Sequence, residues 1–460
     1  MGNQSSAITA KPNSVVIGDE TSSVLKLSAQ TEYNQMNLDS QELYLMASID
    51  APSMKVERAP IDITCVIDIS GSMSGSKLLL VIKTLKFMID QFSSEDKLSI
   101  VTFNHETEVV ANPTVMTSAN KESIKNRIDR LFATNGTNLC EGLLKGISTL
   151  SKTTTSDIKS VLLFTDGEAT DGITDTDKIV SAAKKAIKKS FKKNNTVNVF
   201  TFGFGEDHSG TVLNTIAKEN NGQYYYIKGV DEIASAFSDC LGGLLSVAAQ
   251  NLKLMVEPCD GVSIKAILTS YNKISDNEVR IGDIYAEEHK DVVLEVVIDK
   301  ATEMSAQPIV DFSLSYYDVI SKQLSSTEVM VTIDRVKDAD CKQVNSEVVK
   351  QKLRVKTVEA LDQSRTCADA GNISEALSIL EIAKKELCAN NNGEEYYSNV
   401  TDKLQETMNN MNTVEEYSSR GNKMMCTMWT EESYQRSCDP VNSQYSTGEK
   451  RKAFGKFKIF

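Results

Sequence analysis

Proline is scarce in this 460-residue chain, at seven residues, and glycine stands at 23. Neither leaves room for a long disordered or collagen-like tract. Histidine occurs three times, at His105, His208 and His289, widely separated and with no nucleophile beside any of them, so a hydrolytic triad has no basis. Basic charge is in deficit: 50 Lys+Arg stand against 63 Asp+Glu, a net charge of −13. That balance argues against general nucleic-acid binding, which needs cations to displace counterions from phosphates. No apolar run is long enough to cross a bilayer. The nine cysteines are odd in number and scattered, with no Cys-x-x-Cys pair, so neither a zinc ribbon nor a redox pair is expected. Residues 1–52 contain no basic start followed by an apolar core. Together with the single cysteines this predicts a reducing, cytoplasmic setting.

The remaining 40% apolar and 25% charged residues are ordinary for globular domains. From 61 to 247, continuous apolar runs (61–69, IDITCVIDI; 160–165, SVLLFT; 197–204, VNVFTFGF) alternate with helical spacing, as in 77–92. Strands without polar alternation are covered on both faces. This predicts an α/β doubly wound, Rossmann-like domain over 58–247, with its ligand site at the carboxyl ends of the strands. Residues 248–336 read as successive strands, and two more strands precede residue 58, so 14–57 and 248–336 are expected to form one β-sandwich domain into which the α/β domain is inserted. A C-terminal helical region is expected over 343–437, as a hairpin plus one long helix from about 394. A basic-aromatic tail follows over 438–460. Residues 1–13 are expected to be flexible.

The chemistry collects at three places. Strand 61–69 ends in Asp68-Ile69-Ser70-Gly71-Ser72, one carboxylate and two hydroxyls on a loop. Asn135-Gly136-Thr137 lies just before the helix expected from about Leu139, and Thr165-Asp166-Gly167 ends strand 160–165. All three leave the same sheet edge, and such oxygen donors suit a hard divalent cation, most naturally Mg²⁺, with Mn²⁺ or Ca²⁺ as alternatives. By contrast, Gly71–Lys77 fails as a phosphate loop: its glycines are one residue too close, and Ser76-Lys77 inverts the required order.

These three ordered pieces resemble the von Willebrand factor A domain and its metal-ion-dependent adhesion site. The resemblance implies that Asp68, Ser70, Ser72, Thr137 and Asp166 form a complete site. Ser70 and Ser72 would ligate the ion directly, Thr137 would do so in the ligand-competent state, and Asp68 and Asp166 would act directly or through water. It also implies that the sixth position takes an Asp or Glu carboxylate from a protein partner. A shift of the domain's last helix would accompany the change at Thr137. The segment Val279–Glu288 (VRIGDIYAEE) further resembles eukaryotic proteins that pair this domain with a β-rich segment. Some of those carry a RING finger and act as ubiquitin ligases, but the Cys/His spacing of a RING is lacking here. The expected function is therefore a non-enzymatic, metal-dependent protein-binding module without a nucleic-acid partner. The competing expectation is a membrane-peripheral scaffold with an idle metal site. Met1-Gly2-Asn3-Gln4-Ser5-Ser6 fits N-myristoylation at Gly2. One acyl chain holds a membrane only marginally, and the basic-aromatic tail could supply a second attachment or could dock on the protein's own acidic surface.

Overall fold

The computed structural model describes residues 24–53, 58–134, 136–153, 156, 158–167, 169–191, 197–339 and 344–457. Gly2 and the acylation motif lie outside them. Strands β1 (Lys26–Thr31), β2 (Gln35–Met36) and β3 (Gln41–Asp50) come first. The α/β part then runs β4 (Ile61–Asp68), α1 (Ser76–Gln91), β5 (Lys97–Phe103), β6 (Thr107–Val115), α2 (Ser118–Ile128), α3 (Leu139–Leu150), β7 (Ile158–Thr165), α4 (Thr176–Ser190), β8 (Val197–Phe204), α5 (Gly210–Glu219), β9 (Tyr224–Ile227) and α6 (Val230–Leu244).

Its sheet has the order β6-β5-β4-β7-β8-β9, parallel throughout except for the β5–β6 hairpin. Every residue of β4, β7 and β8 is buried, because helices cover both faces. Ile61, Ile63, Cys65 and Ile67 of β4 face a core shared with α1 and α6. Val66 faces the opposite core, built with α3, α4 and α5. Strand β4 lies between β5 and β7, so the chain departs from it in both directions. Crevices open at such switch points, at the carboxyl ends of the strands.

The second β-rich part follows as β10 (Val247–Pro258), β11 (Val262–Leu268), β12 (Asn272–Lys273), β13 (Glu278–Tyr285), β14 (His289–Ile298), β15 (Ala306–Asp318) and β16 (Gln323–Arg335). Two sheets, β1-β3-β14-β11 and β12-β13-β10-β15-β16-β2, enclose one core. All their pairings are antiparallel except the short β16–β2 contact. Strand β3 pairs with β14 over ten residues, so the early strands and the late ones share this body, with the α/β part inserted between them.

The C-terminal helices are α7 (Ser346–Asp369), α8 (Ile373–Ala389), α9 (Glu395–Asn409), α10 (Val414–Glu416), a π-helical turn at Tyr417–Gly421, α11 (Asn422–Tyr434) and α12 (Gly448–Phe457). The single long helix expected after the hairpin is therefore broken. Asn410 and Asn412 interrupt it with side-chain amides that donate to the Glu406 and Asn409 carbonyls. Helix α11 then lies on the α/β part, where the Thr430 hydroxyl is 3.2 Å from Asn214 Oδ1 and Cys426 joins the core under α5.

The tail is docked rather than extended. Lys450 of α12 is fully buried, with Nζ 2.9 Å from Asp239 Oδ2 and 2.9 Å from the Ser437 hydroxyl. A Cβ on Gly242 would come within 2.7 Å of the Lys450 backbone, so the glycine is what lets α12 approach α6. Phe457 packs against Phe87 of α1, with ring centroids 4.2 Å apart.

Candidate metal site

The end of β4 aims Asp68 at the switch-point crevice. The Ser70 backbone N–H donates to Asp68 Oδ1 at 2.8 Å, and the Thr165 hydroxyl donates to Asp68 Oδ2 at 2.6 Å. A 3₁₀ turn at Gly71–Met73 then brings the Ser70 and Ser72 hydroxyls to 3.1 Å from one another. The Ser72 hydroxyl donates to Asp166 Oδ1 at 2.7 Å. Four of the five expected residues thus form one connected set. Asp68 and Asp166 have no exposed surface, while Ser72 is exposed, so the set opens to solvent on the Ser72 side.

Thr137 stands outside that connected set and is held by its backbone to the loop after β7. Its N–H donates to the Thr170 hydroxyl at 3.2 Å, and its carbonyl accepts from the Thr170 and Asp171 N–H groups at 3.0 and 3.2 Å. The loop carrying it is pinned below by the Thr134 N–H, which donates to the Ile69 carbonyl at 2.7 Å. Gly136 has φ +91°, and a Cβ there would lie 2.8 Å from Asp171 Oδ2 and 2.9 Å from His105 Cβ. Glycine before Thr137 is therefore a steric requirement.

Two residues beyond the expected five join this set. Thr165 caps the inner oxygen of Asp68. Lys77, in the first turn of α1, places its ammonium directly on Asp166 Oδ2 and 3.7 Å from Asp207 Oδ2. Its signal was visible only as the Ser76-Lys77 of a failed phosphate loop.

Burial raises the Asp68 carboxyl to about 6, with the nearby Asp166 charge adding to the push and the hydrogen bonds from Thr165 and Ser70 opposing it. Two buried carboxylates beside the buried Ser70 and the exposed Ser72 hydroxyls form an all-oxygen donor set of the kind Mg²⁺, Mn²⁺ and Ca²⁺ prefer. Among the described residues no group of three or more His, Cys, Asp or Glu could hold a metal ion, so a cation here would depend on the serine and threonine hydroxyls. Those residues fit such an ion in chemistry and in burial.

The architecture is that of a doubly wound α/β domain inserted in a β-sandwich, with an oxygen-lined crevice at the switch point. Residues 62–239 match the von Willebrand factor type A domain, and the chain carries such a domain. An uncharacterised protein of Synechocystis is 29% identical over 256 residues, covering 53% of this chain and 58% of the relative. The E3 ubiquitin-protein ligase WAV3 of Arabidopsis thaliana is 28% identical over 261 residues, covering 55% of this chain and 33% of the relative. The chain thus spans less than two thirds of the length of these curated relatives. A solved structure, von Willebrand factor type A from Catenulispora acidiphila, aligns with a TM-score of 0.66 at 16% identity, covering 85% of this chain and 91% of that one. That likeness shows that the shared fold extends well beyond the α/β part. No described helix is long and apolar enough to cross a membrane.

Proposed function

We propose that this protein is a non-enzymatic, divalent-cation-dependent protein-binding module. Asp68, Ser70, Ser72, Thr137 and Asp166 would hold Mg²⁺, and a partner's Asp or Glu carboxylate would complete the coordination. The observation that supports this is the connected set Asp68–Ser70–Ser72–Asp166, in which both carboxylates and Ser70 are buried and Ser72 opens the set to solvent. Bound there, the ion would supply a Lewis-acidic positive centre that a carboxylate can ligate. The chain's own residues position it. Thr165 and the Ser70 N–H orient Asp68, Ser72 orients Asp166, and Gly136, packed against Asp171 and His105, sets the backbone that leads into Thr137. The setting proposed is cytoplasmic. Any attachment to the cytosolic face of a membrane would fall chiefly to Gly2, because Lys450 and Phe457 of the tail are engaged with the protein itself.

Titration of the full chain with Mn²⁺, read by calorimetry or by electron paramagnetic resonance, tests the site. Wild type is expected to bind one ion, and Asp68→Ala to lose it. Capture of binding proteins in Mg²⁺ should then be abolished by EDTA and by Asp68→Ala alike. Capture that survives both, with no Mn²⁺ bound by wild type, would leave the idle-site scaffold as the better reading.

A further inference from the structure

Asp166 divides its two oxygens between two donors: Oδ1 accepts from the Ser72 hydroxyl at 2.7 Å, and Oδ2 carries the Lys77 ammonium. Lys77 is the second residue of α1, in the turn where the helix dipole disfavours a cation. Its position there is thus explained by the carboxylate and not by the helix. A second acceptor stands close by: Asp207 Oδ2 is 3.7 Å from the same Nζ and belongs to the exposed loop after β8. Gly205 in that loop sits at φ +73°, a backbone conformation that favours glycine, and a Cβ there would touch the Lys77 ammonium only at an ordinary contact distance of 3.6 Å. One lysine therefore lies between a fully buried carboxylate and one whose side chain is 79% exposed.

We propose that Lys77 is a resident cation which a divalent ion must displace from Asp166, and that Asp207 is the seat it moves to. The proposal rests on the metal-site reading above and adds to it the residues that set the affinity. Without an ion, the Lys77 ammonium neutralises Asp166 and keeps two buried carboxylates from facing each other unscreened. With an ion, that role is redundant and Lys77 repels the newcomer unless it swings outward. Asp207 lowers the cost of that swing. The exchange is one positive group for another at Asp166 Oδ2, with no proton transferred and no bond broken other than the ion pair.

The test is Mn²⁺ binding by the full chain, measured by calorimetry for wild type, Lys77→Met and Asp207→Asn, with thermal unfolding at zero and saturating Mn²⁺. An ion pair with one partner partly exposed corresponds to about a fivefold change in an equilibrium constant. Lys77→Met is therefore expected to bind Mn²⁺ about fivefold tighter than wild type, to melt lower without the ion, and to recover when loaded. Asp207→Asn is expected to bind two- to threefold more weakly with an unchanged ion-free melting temperature. Equal or weaker binding by Lys77→Met overturns the proposal, as does wild-type affinity in Asp207→Asn, which also decides the matter if Lys77→Met does not fold. Wild type that binds no Mn²⁺ removes the metal-site reading itself. Wild-type binding with unmoved variants removes only the exchange.

Discussion

Lys450→Met removes the ammonium that faces Asp239, in a place where both partners are fully buried. Breaking one half of a buried pair costs about 3–5 kcal/mol, because the charge left behind is uncompensated. Asp239 has partial alternatives, since the Tyr225 hydroxyl donates to it at 3.0 Å and the Ser437 hydroxyl also contacts it. It can also escape by taking a proton. Burial already holds its carboxyl above the ordinary range against the pull of Lys450, and removing Lys450 raises it further. The sign follows from linkage. An acid whose folded pKa lies above its unfolded value, ~3.9, costs nothing below that value, and its cost grows as pH rises toward the folded pKa at ~1.4 kcal/mol per unit. The deficit of Lys450→Met should thus be small near pH 4 and approach its full size by neutral pH. Urea unfolding followed through the fluorescence of the chain's single tryptophan, Trp429, measures this at pH 5 and pH 8. Adding Asp239→Asn should restore more than half of the loss. A deficit below about 1 kcal/mol, independent of pH and not relieved by the second change, would show that this pair does not hold the tail.

Gly136→Ala forces an L side chain into φ +91° against Asp171 and His105. The strain, ~1–3 kcal/mol, should displace Thr137 and weaken Mn²⁺ binding more than tenfold by calorimetry; wild-type affinity would show that Thr137 is not a ligand. His289 bridges Asp50 and Asp291, at 2.6 and 2.9 Å. Burial alone would lower its pKa, but the two carboxylates prevail and raise it to about 10. Its contribution is therefore fully present below pH ~6.5 and is lost as pH rises through about 10. With the imidazole half exposed, that contribution is at most ~1 kcal/mol. His289→Gln should flatten the stability profile between those pH values, and an unchanged slope would contradict the bridge.

The parts of this molecule that were legible in its sequence share one property: their partners are close in the chain or belong to a repeated pattern. The strand at 61–69 announces a buried strand through its Ile, Val and Cys content, despite Asp62 and Thr64 near its start, and the Asp-x-Ser-x-Ser spacing fixes three side chains within one turn of each other whatever the rest of the fold does. Gly136 was legible only as part of the Asn135-Gly136-Thr137 motif, and that glycine is needed there shows only in the fold, where φ is +91° and Asp171 and His105 crowd the position.

What stayed hidden depends on distant charge. A lysine in a run such as Lys450-Arg451-Lys452 reads as solvent or membrane contact, because an isolated ammonium is not buried. It becomes a core residue here only through Asp239, 211 positions earlier, and through the missing side chain at Gly242 that lets the backbones meet. Lys77 was misplaced by the same logic, since Asp166 lies 89 residues away. The two lysines occupy opposite regimes. Lys450 is sealed and has no second acceptor carboxylate among its described contacts, so its pair acts as a fixture. Lys77 is partly exposed, with Asp207 within reach, so its pair can open. Geometry thus separates a structural ion pair from an exchangeable one, although the two are indistinguishable in the sequence.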